Sequence, residues 1–402
     1  MALGSPRRLT ASSSTARDGC CRALATGLFL VTALPPVVQR FPSGRLPVTA
    51  AAINIGFFGA TVLGPLLGGV AAQGHAWRWF YIALALLGGL TFVLAVLTLP
   101  DQEPTNPGAR LDAPGLALGF AAAALPFWAV GELAGVSFAS PLFAAPLGVG
   151  LVCLVAMLLV EYHKKEPLSP VKQMWHTFPI IGTLAAMVGG AAYFTFLVLA
   201  QELLLHVGHV PPLAAGLAFW PQVAAVILAA VLLGLLLRTR WLPVLVLAGM
   251  ILLVAGGGLV LVVRPSEGSS VAMLSAAGLL GLGAGATVSP GLFMASLALP
   301  SRIIGRTFAL VELVRSVADY ILAPVMLKVA HVASGPGGLN AAGVREAIWI
   351  TLAVTMASAL AGVVLFLLGG ASLPRPDIEA WLKQNRPAIG SPKLAESVRE
   401  RI

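Results

Sequence analysis

Three ionisable residues, Glu312, Arg315 and Asp319, stand within the apolar stretch ALVELVRSVADYILAP. Their spacing is i, i+3 and i+7, so on an α-helix they fall within an arc of about 60° and share one face. At about 1.5 Å per residue, Arg315 lies roughly 18 Å from Ile303, where this apolar run begins. A guanidinium on such a face can hold an anion or a counter-charge, and a spare carboxylate can take up and release a proton.

Two interpretations of these three residues stay open. In the structural one, Glu312 and Arg315 neutralise each other and only fix helix packing. In the functional one, Arg315 is an anion or counter-charge site and Asp319 is the titratable carboxylate. Because a charge near the centre of a bilayer costs at least about 2.5 kcal/mol on insertion scales, the face must line a cavity or pair with another helix.

Other polar residues in apolar runs are weaker candidates. Gln201 and Glu202 lie near the end of one run, where cavity lining and interfacial exposure explain them equally well. Asn54 is expected to form an interhelical hydrogen bond. His206 and His209 have no third ligand nearby, so no metal site is predicted.

Two further features have structural explanations. Asp112 precedes an apolar run and is predicted to cap its helix rather than to carry protons. The string GLGAGA at 281–286 imitates a dinucleotide-binding loop, but it lies inside an apolar run with no strand before it. Packing through small residues explains it better, so no cofactor is predicted.

The amino-acid composition indicates a protein that is embedded in a membrane. The 402 residues are 58% hydrophobic and only 10% charged, with a mean hydropathy of +0.92, whereas a soluble domain carries about 25% charged residues. Much of the surface must therefore face lipid. The net charge of +9 resides between apolar runs, where it indicates topology rather than nucleic-acid binding. Three cysteines form no disulfide framework.

Apolar runs long enough to span a bilayer recur along the chain and predict an all-α polytopic membrane protein with about eleven transmembrane helices. The runs are 22–39, 48–72, 76–99, 111–132, 138–160, 178–205, 213–237, 241–263, 271–299, 303–330 and 346–370. The tail, 371–402, is charged and rich in proline, and is predicted to hold at most a short surface helix.

Positive charges are distributed unequally between the two sides. Loops after the odd-numbered runs hold ten Lys and Arg residues and the tail adds six, whereas the alternate loops hold four. The positive-inside bias places the ten-cation loops and the C-terminus in the cytoplasm. The N-terminal stretch then lies outside, although the same bias would place its Arg7, Arg8 and Arg17 in the cytoplasm.

Small residues line one side of the second run. Every fourth position is Gly or Ala, a pattern that predicts close approach of another helix along the run. The members of this small-residue ridge are Ala52, Gly56, Ala60, Gly64, Gly68 and Ala72. A rigid packing seam and a hinge that bends during transport are both compatible with the ridge and with Pro65 beside it.

The stretch GATVLGPLLGG resembles the fifth-span antiporter motif of drug exporters in the major facilitator superfamily, with Gly64, Pro65, Gly68 and Gly69 as its core. The WRW that follows is similar to the start of the sixth span in the fourteen-span drug:proton antiporter branch. Upstream, CRALATG resembles the fourth-span motif, in which Arg22 would be the membrane arginine. The family usually has glycine near position 319, so the role of Asp319 does not follow from the resemblance.

The resemblance covers about residues 20 to 370 and implies an incomplete major-facilitator fold. Its register predicts an N-terminally truncated chain without spans one to three. The implied segments are a polar N-terminus (1–21), a remnant of the N-terminal transporter domain with spans four to six (22–99), two central spans with cytoplasmic linkers (100–177), a six-span C-terminal domain (178–370) and a cytoplasmic tail (371–402).

The function implied by the resemblance is proton-coupled efflux of small amphipathic compounds by alternating access, from a multi-pass position in the cell (inner) membrane. The expected partners are a small-molecule substrate, protons and the lipid bilayer. The alternative is a non-transporting membrane fragment of such a transporter. An enzyme is not expected, because the sequence contains neither HExxH nor GxSxG.

Overall fold

The computed structural model describes residues 38, 42–98, 112–165, 167–370, 372–373, 375–394 and 396. In these ranges the chain forms helices, and one isolated bridge joins His176 to Lys393. In chain order the helices are α1 (Leu46–Gln73), α2 (Trp77–Thr98), α3 (Ala113–Glu132), α4 (Pro141–His163), α5 (Thr177–Glu202), α6 (Pro212–Leu217), α7 (Pro221–Leu236), α8 (Leu242–Val262), α9 (Val271–Leu297), α10 (Ile304–Ala333), α11 (Ala341–Leu368) and α12 (Ile378–Gln384). A 3-10 turn (Ser43–Arg45) precedes α1, and a π-helical turn (Leu203–Val207) extends α5.

Nine helical segments of the described ranges are long and apolar enough to cross a membrane. They correspond to nine of the eleven predicted runs. The tenth run forms α10, whose charged residues lower its hydropathy but whose 30 residues extend about 45 Å. The first run, 22–39, lies outside the described residues apart from Val38, as does Arg22. The all-α, multi-pass fold class is thus confirmed.

Several helices begin where the sequence provides a capping side chain. Asp112 accepts a hydrogen bond from the backbone N–H of Gly115 at 3.0 Å, as predicted. Asn340 accepts one from Gly343 at the start of α11, also at 3.0 Å. Such caps satisfy backbone donors that have no partner within the helix.

Helix α5 lies at the centre of the fold and packs against α8, α9, α10 and α11. Glycines permit the closest approaches: a Cβ at Gly291 of α9 would lie 2.7 Å from the carbonyl oxygen of Gly182 in α5. The glycines of GLGAGA serve the same purpose. A Cβ at Gly281, Gly283 or Gly285 would lie 2.9, 2.8 or 2.6 Å from the nearest atom of α7 or α8. Small-residue packing therefore accounts for that string.

Two groups of helices flank the centre. Helix α1 packs on α6, α7 and α9, whereas α3 and α4 pair with each other and α3 also meets α10. Helix α2 contains no buried residue among the described part of the chain. Its apolar surface is consequently available to lipid or to further protein.

The tail is more firmly attached than the sequence predicts. Trp381 of α12 is fully buried, and its Nε1 donates a hydrogen bond to the carbonyl oxygen of Leu299 at 2.8 Å. The backbone N–H of Ala388 donates to Leu297 at 2.8 Å. Both acceptors lie where α9 ends and its last carbonyls lack helical partners. The expected short helix is present as α12, but Trp381 docks it onto the ends of other helices.

The same tail also caps the starts of two helices. The backbone N–H of Phe178, in the first turn of α5, donates to Ser391 Oγ at 3.0 Å. The side-chain oxygen of Asn385 accepts from the backbone N–H of Arg302 at 2.9 Å, just before α10. The tail thereby joins the predicted cytoplasmic ends of α5, α9 and α10.

Candidate functional site

The three ionisable residues of α10 form one ionic cluster, as their spacing predicts. Arg315 Nε donates to Glu312 Oε2 at 2.9 Å, and Arg315 Nη2 pairs with the other oxygen of the same carboxyl group. Arg315 Nη1 pairs with Asp319 Oδ2. The side chains of Glu312, Arg315 and Asp319 are only 14, 13 and 7% exposed, so the cluster is largely shielded.

The two carboxyl groups of this cluster are held differently. Glu312 meets the guanidinium through both oxygens, the geometry that makes arginine–carboxylate pairs strong. Asp319 meets it through Oδ2 alone, and its buried Oδ1 has no hydrogen-bond partner in the part of the chain that the structure describes. A buried polar atom without a partner is costly, and in native proteins it commonly marks a water, ion or functional site.

Helix α5 supplies the wall behind Asp319. A Cβ added to Gly190 would lie 2.7 Å from Asp319 Oδ1, 3.0 Å from Oδ2 and 3.2 Å from Arg315 Nη1. These distances are too short for a methyl group, so glycine is required for α5 to approach the ionic cluster. Sequence reasoning did not identify Gly190; the GG pair in MVGGAAYF, within an apolar run, was the available signal.

The ionic cluster borders a cavity of about 450 Å³. Its remaining wall is mainly aromatic and aliphatic, and Phe127 of α3 and Tyr320 of α10 stand edge to face with ring centroids 5.4 Å apart. Phe194 and Val198 of α5 complete that side. The chamber therefore combines an apolar lining with one group of charged side chains, the usual composition of a small-molecule site.

The residues that resemble the antiporter motif line a second cavity, of about 700 Å³. Gly64, Pro65, Gly68 and Gly69 of α1 form one side, and Gln201 of α5 forms part of the other. We refer to this space as the motif cavity and to the space beside Asp319 as the ionic cavity.

Close helix approach at the motif occurs through two glycines. A Cβ at Gly69 would lie 2.5 Å from the carbonyl oxygen of Pro212 in α6, and a Cβ at Gly216 in α6 would lie 2.5 Å from that of Pro65. The two helices thus meet reciprocally, each through a glycine against the other's backbone. The sequence identified the motif residues but not their partner helix.

Against the described residues, the small-residue ridge packs less closely than its pattern predicts. No described atom lies within 4 Å of a Cβ built at Gly56, Gly64 or Gly68. Instead α1 buries a stripe on another side of the helix, which also carries the polar residue Asn54. The buried residues of α1 are Leu46, Thr49, Ala50, Asn54, Phe58, Val62, Gly69 and Ala71. The larger side chains of that stripe bury more surface, which turns much of the ridge away.

Asn54 forms an interhelical hydrogen bond, as expected. Its Nδ2 donates to the carbonyl oxygen of Gly285 in α9 at 3.1 Å, while its buried Oδ1 has no partner among the described residues. Glu202, at the end of α5, pairs with His206 Nδ1 at 2.6 Å. His206 therefore contacts a carboxylate one turn away, and the described residues contain no group of three potential metal ligands.

A separate ionic group links α3 to α4. Lys164 contacts Asp112, and it donates to Glu161 Oε1 at 3.0 Å. The hydrogen bonds from Lys164 and from the backbone of Gly115 hold the pKa of Asp112 below its ordinary value of 3.8. Glu161 is 1% exposed and also accepts from the backbone N–H of Ser169 at 2.9 Å. These groups satisfy one another, so they are structural.

Comparisons with known proteins agree with this architecture. The sequence profile described as Major Facilitator Superfamily matches residues 20–324. The chain is similar to the lincomycin resistance protein of Streptomyces lincolnensis, with 33% identity over 171 residues, or 42% of this chain and 35% of the relative. The puromycin resistance protein of Streptomyces alboniger is 28% identical over 311 residues, or 71% of this chain and 60% of the relative. An uncharacterized MFS-type transporter of Bacillus subtilis is 26% identical over 312 residues, or 75% and 59%.

The alignments cover only part of each relative. The chain spans between about a third and three fifths of the length of these curated proteins. The relatives are named as resistance proteins or a transporter, which agrees with the expectation that this chain is not an enzyme.

Proposed function

The chain belongs to the Major Facilitator Superfamily, and on that premise we propose that it is a secondary transporter which exports small amphipathic compounds in exchange for protons. Substrates are expected to enter from the cell (inner) membrane or the cytoplasm, with the C-terminus on the cytoplasmic side. The GPxxGG and WRW strings favour the fourteen-span drug:proton antiporter branch.

The single observation that carries this proposal is the unequal pairing of the two carboxyl groups. Glu312 holds Arg315 through both oxygens, whereas Asp319 contacts it through one and keeps a buried oxygen that no described residue hydrogen-bonds. Asp319 also borders the ionic cavity. A carboxyl group placed in this way can accept either a proton or the cationic part of a ligand. Because both use the same oxygen, the arrival of one favours the departure of the other, which is the requirement for exchange.

Alternating access supplies the second half of the mechanism. Helix bundles that rock about a site near the midplane expose it to one side of the membrane and then to the other. Here α5 and α10 form two walls of the ionic cavity, and α1 meets α6 across the motif cavity. The reciprocal glycine contacts of Gly69 and Gly216 allow α1 and α6 to close tightly on one another.

The test is energy-dependent dye extrusion from inverted vesicles at matched protein level. Asp319→Asn removes the titratable group but keeps the size of the side chain, so extrusion should no longer respond to the proton gradient. Glu312→Gln should reduce the yield of folded protein instead, because it leaves the shielded Arg315 with less counter-charge. Glu267→Gln is the matched control, since Glu267 lies in a loop and is half exposed.

The outcomes separate the candidate functions. Loss of gradient-dependent extrusion in Asp319→Asn, with normal extrusion in Glu267→Gln, supports the proposed exchange. Unchanged, uncoupler-sensitive extrusion in Asp319→Asn would leave that residue structural. No extrusion by the unaltered chain would favour the non-transporting alternative.

A further inference from the structure

One side of α5 provides the accessible wall of both cavities. Between positions 191 and 200, Phe194 and Val198 are partly exposed, whereas the other residues are buried. Gly190, one turn before Phe194, is buried against Asp319. At about 1.5 Å per residue, Phe194 therefore lies roughly 6 Å further along α5 than that contact. It is the first large side chain on this side of α5 next to the ionic cluster.

Phe194 is also where the two cavities meet. Among the described residues it is the one that lines both the motif cavity and the ionic cavity. Each of the other lining residues of α5 borders one of the two cavities. Leu197 and Gln201 line the motif cavity, and Val198 lines the ionic cavity. The aromatic ring thus stands between a space of about 700 Å³ and one of about 450 Å³.

The ring is supported from behind. Phe194 meets Tyr193 edge to face, with centroids 5.6 Å apart. Tyr193 is itself fixed, because its hydroxyl donates to Gln222 Oε1 at 3.0 Å and its ring contacts Phe58 at 6.3 Å. Tyr193 and Gln222 are fully buried. The contacts of Tyr193 to α1 and α7 therefore fix the position next to Phe194, while the Phe194 ring lines the cavities.

We propose that Phe194 is the size-selecting residue of this pathway. Its ring divides the space along α5, so a compound in the motif cavity reaches Asp319 only if the part that passes the ring is small. Removing the ring joins the two cavities and admits bulkier groups. The inference rests on the proposed function, because only transport makes the two cavities a substrate pathway. The barrier itself is a property of the fold, and it is testable without transport.

The experiment measures access to the ionic cavity directly. Ser316, which lines that cavity, is changed to cysteine in the 402-residue chain, whose Cys20, Cys21 and Cys153 are replaced by serine. The protein is placed in lipid nanodiscs. Labelling rates are then compared for two cationic methanethiosulfonates, one carrying an ethylammonium group and one carrying a triphenylphosphonium group.

Phe194→Ala should increase the rate for the bulky reagent about tenfold relative to that for the small one, equivalent to about 1.4 kcal/mol in the barrier. Leu197→Ala and Val198→Ala each shorten a side chain in one cavity and keep the ring, so they should leave this ratio unchanged. Phe194→Leu should give an intermediate ratio, and it replaces the alanine variant in the comparison if that variant folds poorly. Elution as a single species on size exclusion verifies folding.

Two results would overturn the proposal. One is the same rate ratio in the Phe194 variants as in the parent, which would mean that reagents enter the ionic cavity by another route. The other is an equal increase in Val198→Ala, which would indicate general loosening of α5. Neither result depends on dye extrusion, so failure of the barrier and failure of the exchange mechanism remain distinguishable.

Discussion

Gly190 decides how closely α5 approaches the ionic cluster of α10. It has no Cβ, and the space a Cβ would occupy is filled by the Asp319 carboxyl group and the Arg315 guanidinium. In a membrane, where apolar burial between helices provides little drive, such close approach is a main source of helix association. Here it also encloses the carboxylate that we propose as the exchange group.

Gly190→Ala should lower the stability of the protein by about 1 to 3 kcal/mol, the usual cost of overpacking. The added methyl group would lie 2.7 Å from Asp319 Oδ1 and force the two helices apart. Thermal unfolding in detergent provides the measurement. Gly258→Ala in α8 is the control, because no described atom lies within 4 Å of its Cβ. Equal melting temperatures for the two variants would contradict tight packing at Gly190.

At the scale of elements, α1 and the tail show that a helix's partners are not evident from its own pattern. The small-residue ridge of α1 is its most regular feature, yet the closest contact with α6 involves Gly69 and Gly216. The tail is mostly polar, yet α12 buries Trp381 completely. In both cases a few well-placed contacts outweigh the average character of the segment.

Gly69→Ala should destabilise the protein more than Gly64→Ala. The first substitution places a methyl group 2.5 Å from the Pro212 carbonyl oxygen, whereas the second meets no described atom within 4 Å. We expect a loss of about 1 to 3 kcal/mol for Gly69→Ala and a neutral effect or a gain of up to about 1 kcal/mol for Gly64→Ala, because alanine favours helix. Melting temperatures at matched detergent concentration compare them, and the reverse order would restore the ridge as the contact surface.

Trp381→Ala should release the tail and destabilise the adjoining helix ends. Burial of the whole side chain and its hydrogen bond to Leu299 predict a loss of about 3 to 5 kcal/mol. Limited proteolysis, followed by mass spectrometry, should show faster cleavage within 375–394. Trp349→Ala is the control, since that side chain is 63% exposed. Equal cleavage in the two variants would mean that the tail is not anchored by Trp381.

At the scale of the molecule, charge and hydropathy together define how the chain crosses the membrane. Nine helical segments of the described residues satisfy the length and composition of a span, and the ionic cluster of α10 lies against Gly190 of α5 and the ionic cavity. The cation-rich loops alternate with cation-poor ones along the sequence. An alternating topology with a cytoplasmic tail follows from this asymmetry as a prediction.

Cysteine labelling in intact cells tests that topology. Lys165→Cys and Lys383→Cys should be protected from an impermeant thiol reagent, and Ser266→Cys should react. All three positions are exposed. Gly208, which lines one cavity with Ser266, is unsuitable because a Cβ there would collide with the backbone oxygen of Pro265. Outside labelling at position 165 would end the topology prediction.

The sequence by itself determined that the protein lies in a membrane, where its helices run, and that the ionic residues share one helix face. These are local properties: runs of about 20 apolar residues must form helices in lipid, because backbone groups find no other partners there, and i, i+3 and i+7 positions always fall on one side. The cap at Asp112 and the hydrogen bond expected of Asn54 follow from the same local chemistry.

Only the tertiary structure decided which faces meet. The rotation of α1 is set by the combined burial of residues on α6, α7 and α9, so its ridge could not reveal its partner. Gly190 matters because Asp319 packs against it, and Phe194 matters because it lines two cavities that arise when distant helices pack. The docked tail depends on helix ends that exist only in the folded chain, because unsatisfied carbonyls and amides appear only where helices stop.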